Sequence, residues 1–234
     1  MKPWEDPRIA RGMKQQLAAR RARIAAGETP IGWKVGLGAP AAMQRLGLTA
    51  PVVGFLMQKA VLPAGGSASF KGYTKPVAEC EIAVRMAKDL PGGASADDAP
   101  RAIKEISPAI ELADFDPPPT PDNLDAVLAA DIYNRHVVFG SAARSGGNVG
   151  GLTSRLIRRG VEAASTTDPE ALTGKLADIV ALVANTVAAF GEKLAAGDVI
   201  ITGSITPPIM LDADETGLTH ALDPIGQVSV NFSW

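Results

Sequence analysis

Three glutamates in two short stretches have the residue type and spacing of a divalent metal site. Glu79 and Glu81 alternate with apolar residues in the stretch 77–84, and Glu111 is framed by apolar residues in the stretch 107–114. If both stretches are strands, successive side chains point to opposite faces, and these carboxylates leave the polar faces. Carboxylates held close together repel, and burying them unpaired is costly. A hard cation that prefers oxygen ligands, Mg²⁺ or Mn²⁺, removes both penalties.

The other faces of the same two stretches are apolar. Cys80 and Ile82 alternate with the first two glutamates, and Ile110 and Leu112 flank the third. We therefore expect this second face to be buried under a long helix or a second sheet. A single glutamate on a half-exposed strand is usually an ordinary solvated side chain. A Glu-x-Glu pair followed by a third glutamate, all with apolar neighbours, favours the metal site.

A lysine stands in the middle of a glycine-flanked strand that precedes the glutamates. Lys34 lies between Trp33 and Val35, within the stretch 31–38. Lysine is common on edge strands, where its ammonium is solvated. A lysine enclosed by Trp, Val and glycine backbone is instead partly desolvated, which is a setting used for catalytic lysines.

Composition limits the class of protein. The chain has 234 residues, 46% hydrophobic, which is enough for a sizeable core. A formal net charge of -2 argues against a nucleic-acid partner. One cysteine, Cys80, suits a reducing compartment. The first residues lack the apolar region of a secretory signal, and the longest apolar run, 179–190, is too short to span a bilayer. We expect a soluble cytoplasmic protein.

The pattern of apolar residues, glycines and prolines predicts an α+β fold with more strands than helices. We expect one large catalytic domain, 66–234, after a small N-terminal lobe, 1–65, with the boundary at the Pro-Ala-Gly-Gly turn. The predicted helices are 6–27, 41–46, 97–106, 123–130 and 178–195. The predicted strands are 31–38, 52–57, 77–84, 107–114, 136–140, a pair within 152–164, 199–205 and 227–232.

Several of these motifs occur together in a familiar order. They are G-W-K-V-G at 32–36, A-E-C-E-I-A at 78–83, A-I-E-L-A-D at 109–114, the strand at 134–140 and L-A-A-G-D-V-I-I-T-G-S at 194–204. The chain resembles the fumarylacetoacetate hydrolase superfamily, most closely its branch of 2-keto-4-pentenoate hydratases and 4-oxalocrotonate decarboxylases. The resemblance implies a β-rich sandwich roll and a homo-oligomer, a dimer or larger.

The resemblance also implies roles for individual residues. The three glutamates would hold Mg²⁺ or Mn²⁺, and Lys34 would lie in the pocket as a catalytic residue. Thr202, Gly203 and Ser204 would lie beside the substrate, a small 2-oxo or 2-hydroxydienoic acid. The metal would bind the 2-oxo acid head and stabilise an enolate.

Hydration of a 2-hydroxy-2,4-dienoate is the reaction that we predict from this resemblance. Decarboxylation of a 2-oxo acid passes through the same enolate and stays open as an alternative. Pentadienoate hydratases usually carry an acid shortly after the glycine that matches Gly54, and residues 55–62 contain none. Asp114 is our candidate for the missing catalytic acid, and Glu28 is a further one.

Two other classes of protein share this fold. Acylpyruvate-type hydrolases usually bring a histidine and a glutamate from an N-terminal lid, whereas both histidines here, His136 and His220, follow the metal motif. We expect His136 to be structural and His220 to lie in a surface loop. A non-catalytic family member is disfavoured because all three acids and Lys34 are retained.

Overall fold

The computed structural model of the protein describes residues 2–234, and its longest helix begins as the sequence predicts. The Asp6 side chain accepts a hydrogen bond from the Arg8 backbone N–H at 2.9 Å, and Pro7 is the first helical residue. The helices are α1 (Pro7–Ala25), α2 (Pro40–Leu46), α3 (Ala99–Ala102), α4 (Leu124–Ala129) and α5 (Leu176–Ala189), with 3₁₀ turns at Pro3–Glu5 and Gln58–Ala60. None of the helices within residues 2–234 is long and apolar enough to cross a membrane.

Strands make up most of the regular structure, which confirms the α+β class. They are β1 (Pro30–Gly36), β2 (Val52–Met57), β3 (Val61–Leu62), β4 (Ser67–Ser69), β5 (Pro76–Met86), β6 (Ile103–Asp114), β7 (Asn134–Phe139), β8 (Arg144–Ser145), β9 (Thr153–Arg158), β10 (Val161–Thr166), β11 (Val199–Ile201), β12 (Ile209–Met210), β13 (Gly217–Asp223) and β14 (Gly226–Ser233). The strand pair expected within 152–164 is present as β9 and β10.

The strands form two sheets. The larger has nine strands in the order β2-β1-β11-β5-β6-β7-β3, with β12 beside β5 and β8 beside β6. The smaller has five strands in the order β10-β9-β13-β14-β4. The long antiparallel pair β5 and β6 lies in the middle of the larger sheet, and both strands carry the candidate metal ligands.

Strand pairing joins the two predicted parts of the chain. β1 and β2 come from 1–65, and β1 pairs with β11, which pairs with β5. The proposed division at residue 65 therefore separates stretches of sequence that share one sheet, and its status as a domain boundary stays a prediction.

The apolar face of β5 is buried, as expected. Cys80 and Ile82 are each 2% exposed and belong to one core cluster with Ile179 of α5 and Leu218 of β13. Burial raises the pKa of the Cys80 thiol to about 12, because the thiolate would lose its hydration.

Three predicted elements differ from the structure. The helix expected at 97–106 is only the four residues of α3, because Ile103 already pairs with Met86 as the start of β6. The helix α5 ends at Ala189 rather than 195, since Gly191 takes a left-handed φ of +78° and turns the chain. The strand expected at 199–205 ends at Ile201.

Candidate metal centre and adjoining cavity

Strand register brings the three glutamates together. Glu79 of β5 pairs directly with Glu111 of β6, and Glu81 lies two residues along β5 on the same face. One carboxylate oxygen from each residue lies within 4.8 Å of the other two. The convergence expected from the sequence is present, and the use of these residues as metal ligands stays a prediction.

The donor set fits a hard divalent cation. Glu81 is 0% exposed, and its Oε2 accepts a hydrogen bond from the Gly203 N–H at 2.6 Å. Its Oε1 is buried and has no hydrogen-bond partner among residues 2–234. A buried carboxylate oxygen without a donor is expensive, so it calls for a cation. Three carboxylates with oxygen-only donors suit Mg²⁺ or Mn²⁺ better than zinc.

Charge crowding shifts the pKa values of the cluster. Burial and then the repulsion of Glu111 raise the pKa of Glu79 to about 7. The same two causes, with Glu79 added, raise the pKa of Glu81 well above its ordinary value. These shifts express the free-energy penalty of the ionised glutamates, which a bound cation removes.

Lys34 is buried beside the cluster, which rules out the solvated edge-strand alternative. It is 1% exposed on β1, between β2 and β11, and its Nζ donates to Glu111 Oε1 and to the Ile132 carbonyl at 3.1 Å. Burial disfavours the ammonium and lowers the pKa of Lys34. The negative charges of Glu111, Glu79 and Asp131 have the larger combined effect, so the pKa of Lys34 is raised. Lys34 is therefore a charged hydrogen-bond donor at neutral pH.

A tight turn after α4 supplies polar groups that the sequence analysis missed. Asn134 Nδ2 donates to Glu111 Oε1 at 2.7 Å, and Asp131 Oδ1 accepts from the Phe55 N–H at 2.8 Å. Residues 131–133 all have left-handed φ values, +58°, +49° and +66°. Such strain in non-glycine residues persists only where the surroundings enforce it, and it is frequent at functional sites.

Gly54 permits the close approach of Lys34 and Asp131. A Cβ at this position would lie 2.7 Å from Lys34 Cγ and 2.7 Å from Asp131 Oδ1. Burial raises the pKa of Asp131 to about 8, against the opposing charge of Lys34. The sequence analysis used Gly54 only to mark the position after which related hydratases carry an acid. In the structure the acid next to Gly54 is Asp131, which comes from a distant part of the chain.

The T-G-S segment lies beside the glutamate cluster, and its contact with a substrate stays a prediction. Thr202, Gly203 and Ser204 line a cavity of about 310 Å³ together with Glu79. The Thr202 hydroxyl donates to the Ile82 carbonyl at 3.1 Å, and the Ser204 hydroxyl donates to the Thr206 carbonyl at 2.6 Å. Both hydroxyl hydrogens are thus used within the chain.

The two acids that we considered for water delivery lie elsewhere. Asp114 Oδ1 accepts from the Thr74 and Lys75 N–H groups at 3.0 and 2.8 Å, and its Oδ2 pairs with Arg135. Asp114 lines a different cavity, of about 350 Å³. Glu28 pairs with Arg23 at 2.7 Å. Neither acid lines the cavity beside Glu79, and neither contributes to the charge around Lys34, so the structure does not favour the catalytic assignment of Asp114.

His220 is not in a surface loop. It is 0% exposed in β13, where its Nδ1 lies 2.9 Å from the Ala109 carbonyl of β6 and its Nε2 lies 3.1 Å from Ser154 Oγ. The error arose because one histidine in an alternating strand carries no sign of which sheet will cover it. His136 is partly buried in β7, and burial lowers its pKa.

Two central antiparallel strands carry the three glutamates, and a buried lysine lies beside them; this arrangement fits the carboxylate-lined centre of a metal-dependent enzyme. A family model, fumarylacetoacetate (FAA) hydrolase C-terminal, matches residues 33–230. The chain therefore belongs to the fumarylacetoacetate hydrolase family.

Curated relatives narrow the branch. The chain is 28% identical over 218 residues to the 2-hydroxyhexa-2,4-dienoate hydratase of Comamonas testosteroni, covering 91% of this chain and 82% of the relative. It is 28% identical over 219 residues to the 4-oxalocrotonate decarboxylase of Pseudomonas putida, covering 93% and 83%. Both belong to the branch that the sequence motifs indicated.

Solved structures agree on the fold. The 4-oxalocrotonate decarboxylase from Pseudomonas putida G7, complexed with magnesium and adipate, has a TM-score of 0.85 and 27% identity, with 93% of this chain and 83% of that chain covered. The fumarylpyruvate hydrolase from Pseudomonas aeruginosa, in complex with Mn²⁺ and pyruvate, has a TM-score of 0.69 at 15% identity, covering 87% and 89%. The second likeness shows the shared fold alone.

Proposed function

We propose that the protein is a metal-dependent lyase that acts on a small 2-oxo or 2-hydroxydienoic acid. The observation that carries the proposal is the convergence of Glu79, Glu81 and Glu111 around a buried, unpartnered Glu81 oxygen. Mg²⁺ is the expected ion, and Mn²⁺ the alternative, because both suit carboxylate ligands. Relatives named as hydratases and decarboxylases, one of them solved with magnesium, support the assignment.

The ion would supply Lewis acidity toward the head of a 2-oxo acid. Lys34 keeps its charge through Glu111 and offers an ammonium that stabilises negative charge developing beside the cluster and returns a proton. The Gly203 N–H fixes the orientation of Glu81, and Asn134 fixes that of Glu111. These contacts hold the ligand set in one geometry before any substrate arrives.

Hydration of a 2-hydroxydienoate is the reaction that we favour. Hydration needs a group that moves a proton to or from the added water. Among residues 2–234, Asp131 is the one carboxyl besides the glutamates whose charge raises the pKa of Lys34. With its pKa raised to about 8 by burial, Asp131 exchanges a proton near neutral pH. We propose it in place of Asp114.

Decarboxylation of a 2-oxo acid is the second candidate, favoured by the TM-score of 0.85 to a 4-oxalocrotonate decarboxylase. Hydrolysis of acylpyruvates is disfavoured, since within residues 2–234 no histidine lines the cavity beside Glu79. A non-catalytic role is disfavoured because a lysine that is 1% exposed carries a desolvation penalty. Homo-oligomer formation and cytoplasmic location stay predictions.

The test is turnover of a panel of 2-hydroxydienoates, 2-oxo dioic acids and acylpyruvates with Mg²⁺, with Mn²⁺ and with a chelator. Hydration consumes the dienol absorbance without releasing CO₂, whereas decarboxylation releases CO₂. Loss of both activities with chelator and in Glu81→Gln is the expected result. A preference for acylpyruvates, or full activity in the presence of chelator, would reject the lyase assignment.

A further inference from the structure

A buried glutamine interrupts the apolar face of α1. Gln16 is 0% exposed, and the buried side of the helix around it includes Met13 and Leu17. Its Nε2 donates to the Leu128 carbonyl at 2.7 Å and to the Val53 carbonyl at 3.3 Å. Its Oε1 is buried and accepts no hydrogen bond within residues 2–234. The cost of burying this amide is therefore offset by its two donated bonds alone.

Both carbonyls belong to segments that also hold Asp131. β2 is the outer strand at one end of the nine-stranded sheet, so the groups along its free edge have no neighbouring strand. On that edge the Val53 carbonyl accepts from Gln16, and the Phe55 N–H donates to Asp131 Oδ1 at 2.8 Å. In the last turn of α4 the Leu128 carbonyl accepts the Asp131 N–H at 2.9 Å as well as the Gln16 amide. The same glutamine thus joins the strand and the helix end between which Asp131 lies.

These bonds close a ring around Gly54, which pairs with Lys34 between β2 and β1. The ring runs from β2 through Gln16 to the end of α4, then through Asp131 back to β2. The helices leave it little freedom, because a Cβ at Gly12, one turn before the glutamine, would lie 2.5 Å from Leu128 Cβ. The Gln16 amide therefore sets how closely the turn that carries Asp131 approaches the strand opposite Lys34.

We propose that Gln16 is a positioning residue, which holds the Asp131 carboxyl at its place beside Lys34 from the opposite side of β2. The catalytic consequence of this inference rests on the proposed function, in which Asp131 moves the proton of water. The turn at 131–133 has left-handed φ values, a conformation that persists only where its surroundings enforce it. A small displacement of a group that transfers a proton costs rate and leaves substrate binding almost untouched.

Gln16→Met keeps the length of the side chain and removes both donors. We expect kcat to fall about tenfold, with KM and Mn²⁺ affinity within about twofold. Asp131→Asn keeps an acceptor for the Phe55 N–H, and in that background Gln16→Met should change kcat by less than about twofold, since the group that it positions is already gone. An equal fall in both backgrounds would show that Gln16 acts through general stability, which overturns the inference.

Two control variants lie on the same helix. Gln15→Met makes the same exchange at the exposed neighbouring position. Ile9→Val removes a methylene from the buried face of α1 and lowers stability without touching the ring. Both should leave kcat unchanged, and a fall in either that matches Gln16→Met would contradict the assignment.

Hydrogen exchange tests the ring without any substrate. By NMR, the Phe55 N–H should exchange about tenfold faster in Gln16→Met than in the wild-type protein. The Gln58 N–H, which donates to the Thr29 carbonyl at 2.9 Å just after β2, should exchange at its wild-type rate. If no substrate is turned over, the proposed function fails while this measurement still tests the positioning. Unchanged exchange at Phe55, or equal acceleration at both amides, overturns the inference.

Discussion

Lys34 and Glu111 form an ion pair in which both side chains are only 1% exposed. Asn134 donates to the same Oε1 atom of Glu111, so Oε2 is the glutamate oxygen that receives no hydrogen bond within residues 2–234. One oxygen of Glu111 thus anchors the lysine, and the other remains for an ion. The lysine that we propose as catalytic is therefore coupled to the proposed metal site through this one carboxylate.

Replacing Lys34 by methionine separates the two parts of this pair. We expect kcat to fall at least about 100-fold, because the ammonium that moves a proton is gone. Mn²⁺ affinity should change by less than about tenfold, since a positive charge beside the cluster is removed and the ligands remain. Steady-state kinetics and calorimetric Mn²⁺ titration measure the two effects, with Lys71→Met as the control. Unchanged turnover of the true substrate would end the proposed role of Lys34.

Replacing Glu81 by glutamine tests the metal site through stability. The amide keeps the shape and an acceptor for the Gly203 N–H, and it removes one buried charge. Without metal, the variant should melt at the same temperature as the wild-type protein or above it. With Mg²⁺ at about 100 times its Kd, the wild-type protein should gain about 2.7 kcal/mol in unfolding free energy and the variant much less. Glu105→Gln, on the neighbouring strand β6 and outside the cluster, should keep the full gain; an equal gain in Glu81→Gln would contradict the assignment.

The glutamate cluster was predictable from the sequence because the pattern that forms it is local. Side chains alternate between the two faces of a strand, so Glu79 and Glu81 share one face of β5. Pairing with β6 then puts Glu111 on that same face, independently of the other elements. The burial of Cys80 follows from the same alternation. The enclosed setting of Lys34 pointed to that residue, and the family resemblance supported it and added the T-G-S segment. The structure places Lys34 beside the cluster and the T-G-S segment in its cavity.

The remaining parts depend on contacts that no local pattern encodes. Asp131 and Asn134 are brought to the site by the turn at 131–133, where all three residues have left-handed φ values. The sequence D-I-Y-N gives no sign of that conformation. His220 is buried because β13 packs against Ala109 of β6, far away in sequence. The helix expected at 97–106 was lost to strand pairing with β5, a tertiary contact that overrides local helix propensity.

We expect the Gly203 N–H to support metal binding, an effect separate from the strain of its left-handed backbone. Its φ is +93°, and its N–H holds Glu81 Oε2. Gly203→Ala should weaken Mn²⁺ binding about tenfold, because a shift of this N–H releases a ligand from its orientation. Gly197 has a similar φ of +88° with nothing within 4 Å of an added Cβ, so Gly197→Ala matches the strain without touching the cluster. Equal effects of the two substitutions on Mn²⁺ affinity would reduce the role of Gly203 to strain.

His220 links the two sheets as a neutral side chain. Its Nδ1–H donates to the Ala109 carbonyl, and in the neutral ring its Nε2 accepts a hydrogen bond from the Ser154 hydroxyl. Burial lowers the pKa of His220 to about 4, since the imidazolium would lose its hydration. Folding therefore favours the unprotonated form.

This lowered pKa predicts a specific loss of stability in acid. Between about pH 6.5 and pH 4 the unfolded chain binds a proton at His220 that the folded protein excludes, so stability falls as the pH falls through this window. From pH 7 to pH 5 the loss should be about 2 kcal/mol of unfolding free energy. Urea denaturation at both pH values should show this loss in the wild-type protein and not in His220→Gln. The difference between the two proteins cancels the titration of all other groups.

His136→Gln, at the chain's other histidine, is the control and should lose nearly as much stability as the wild-type protein. A histidine signal assigned to His220 that titrates near pH 6.5 by NMR would show that the ring is not held neutral.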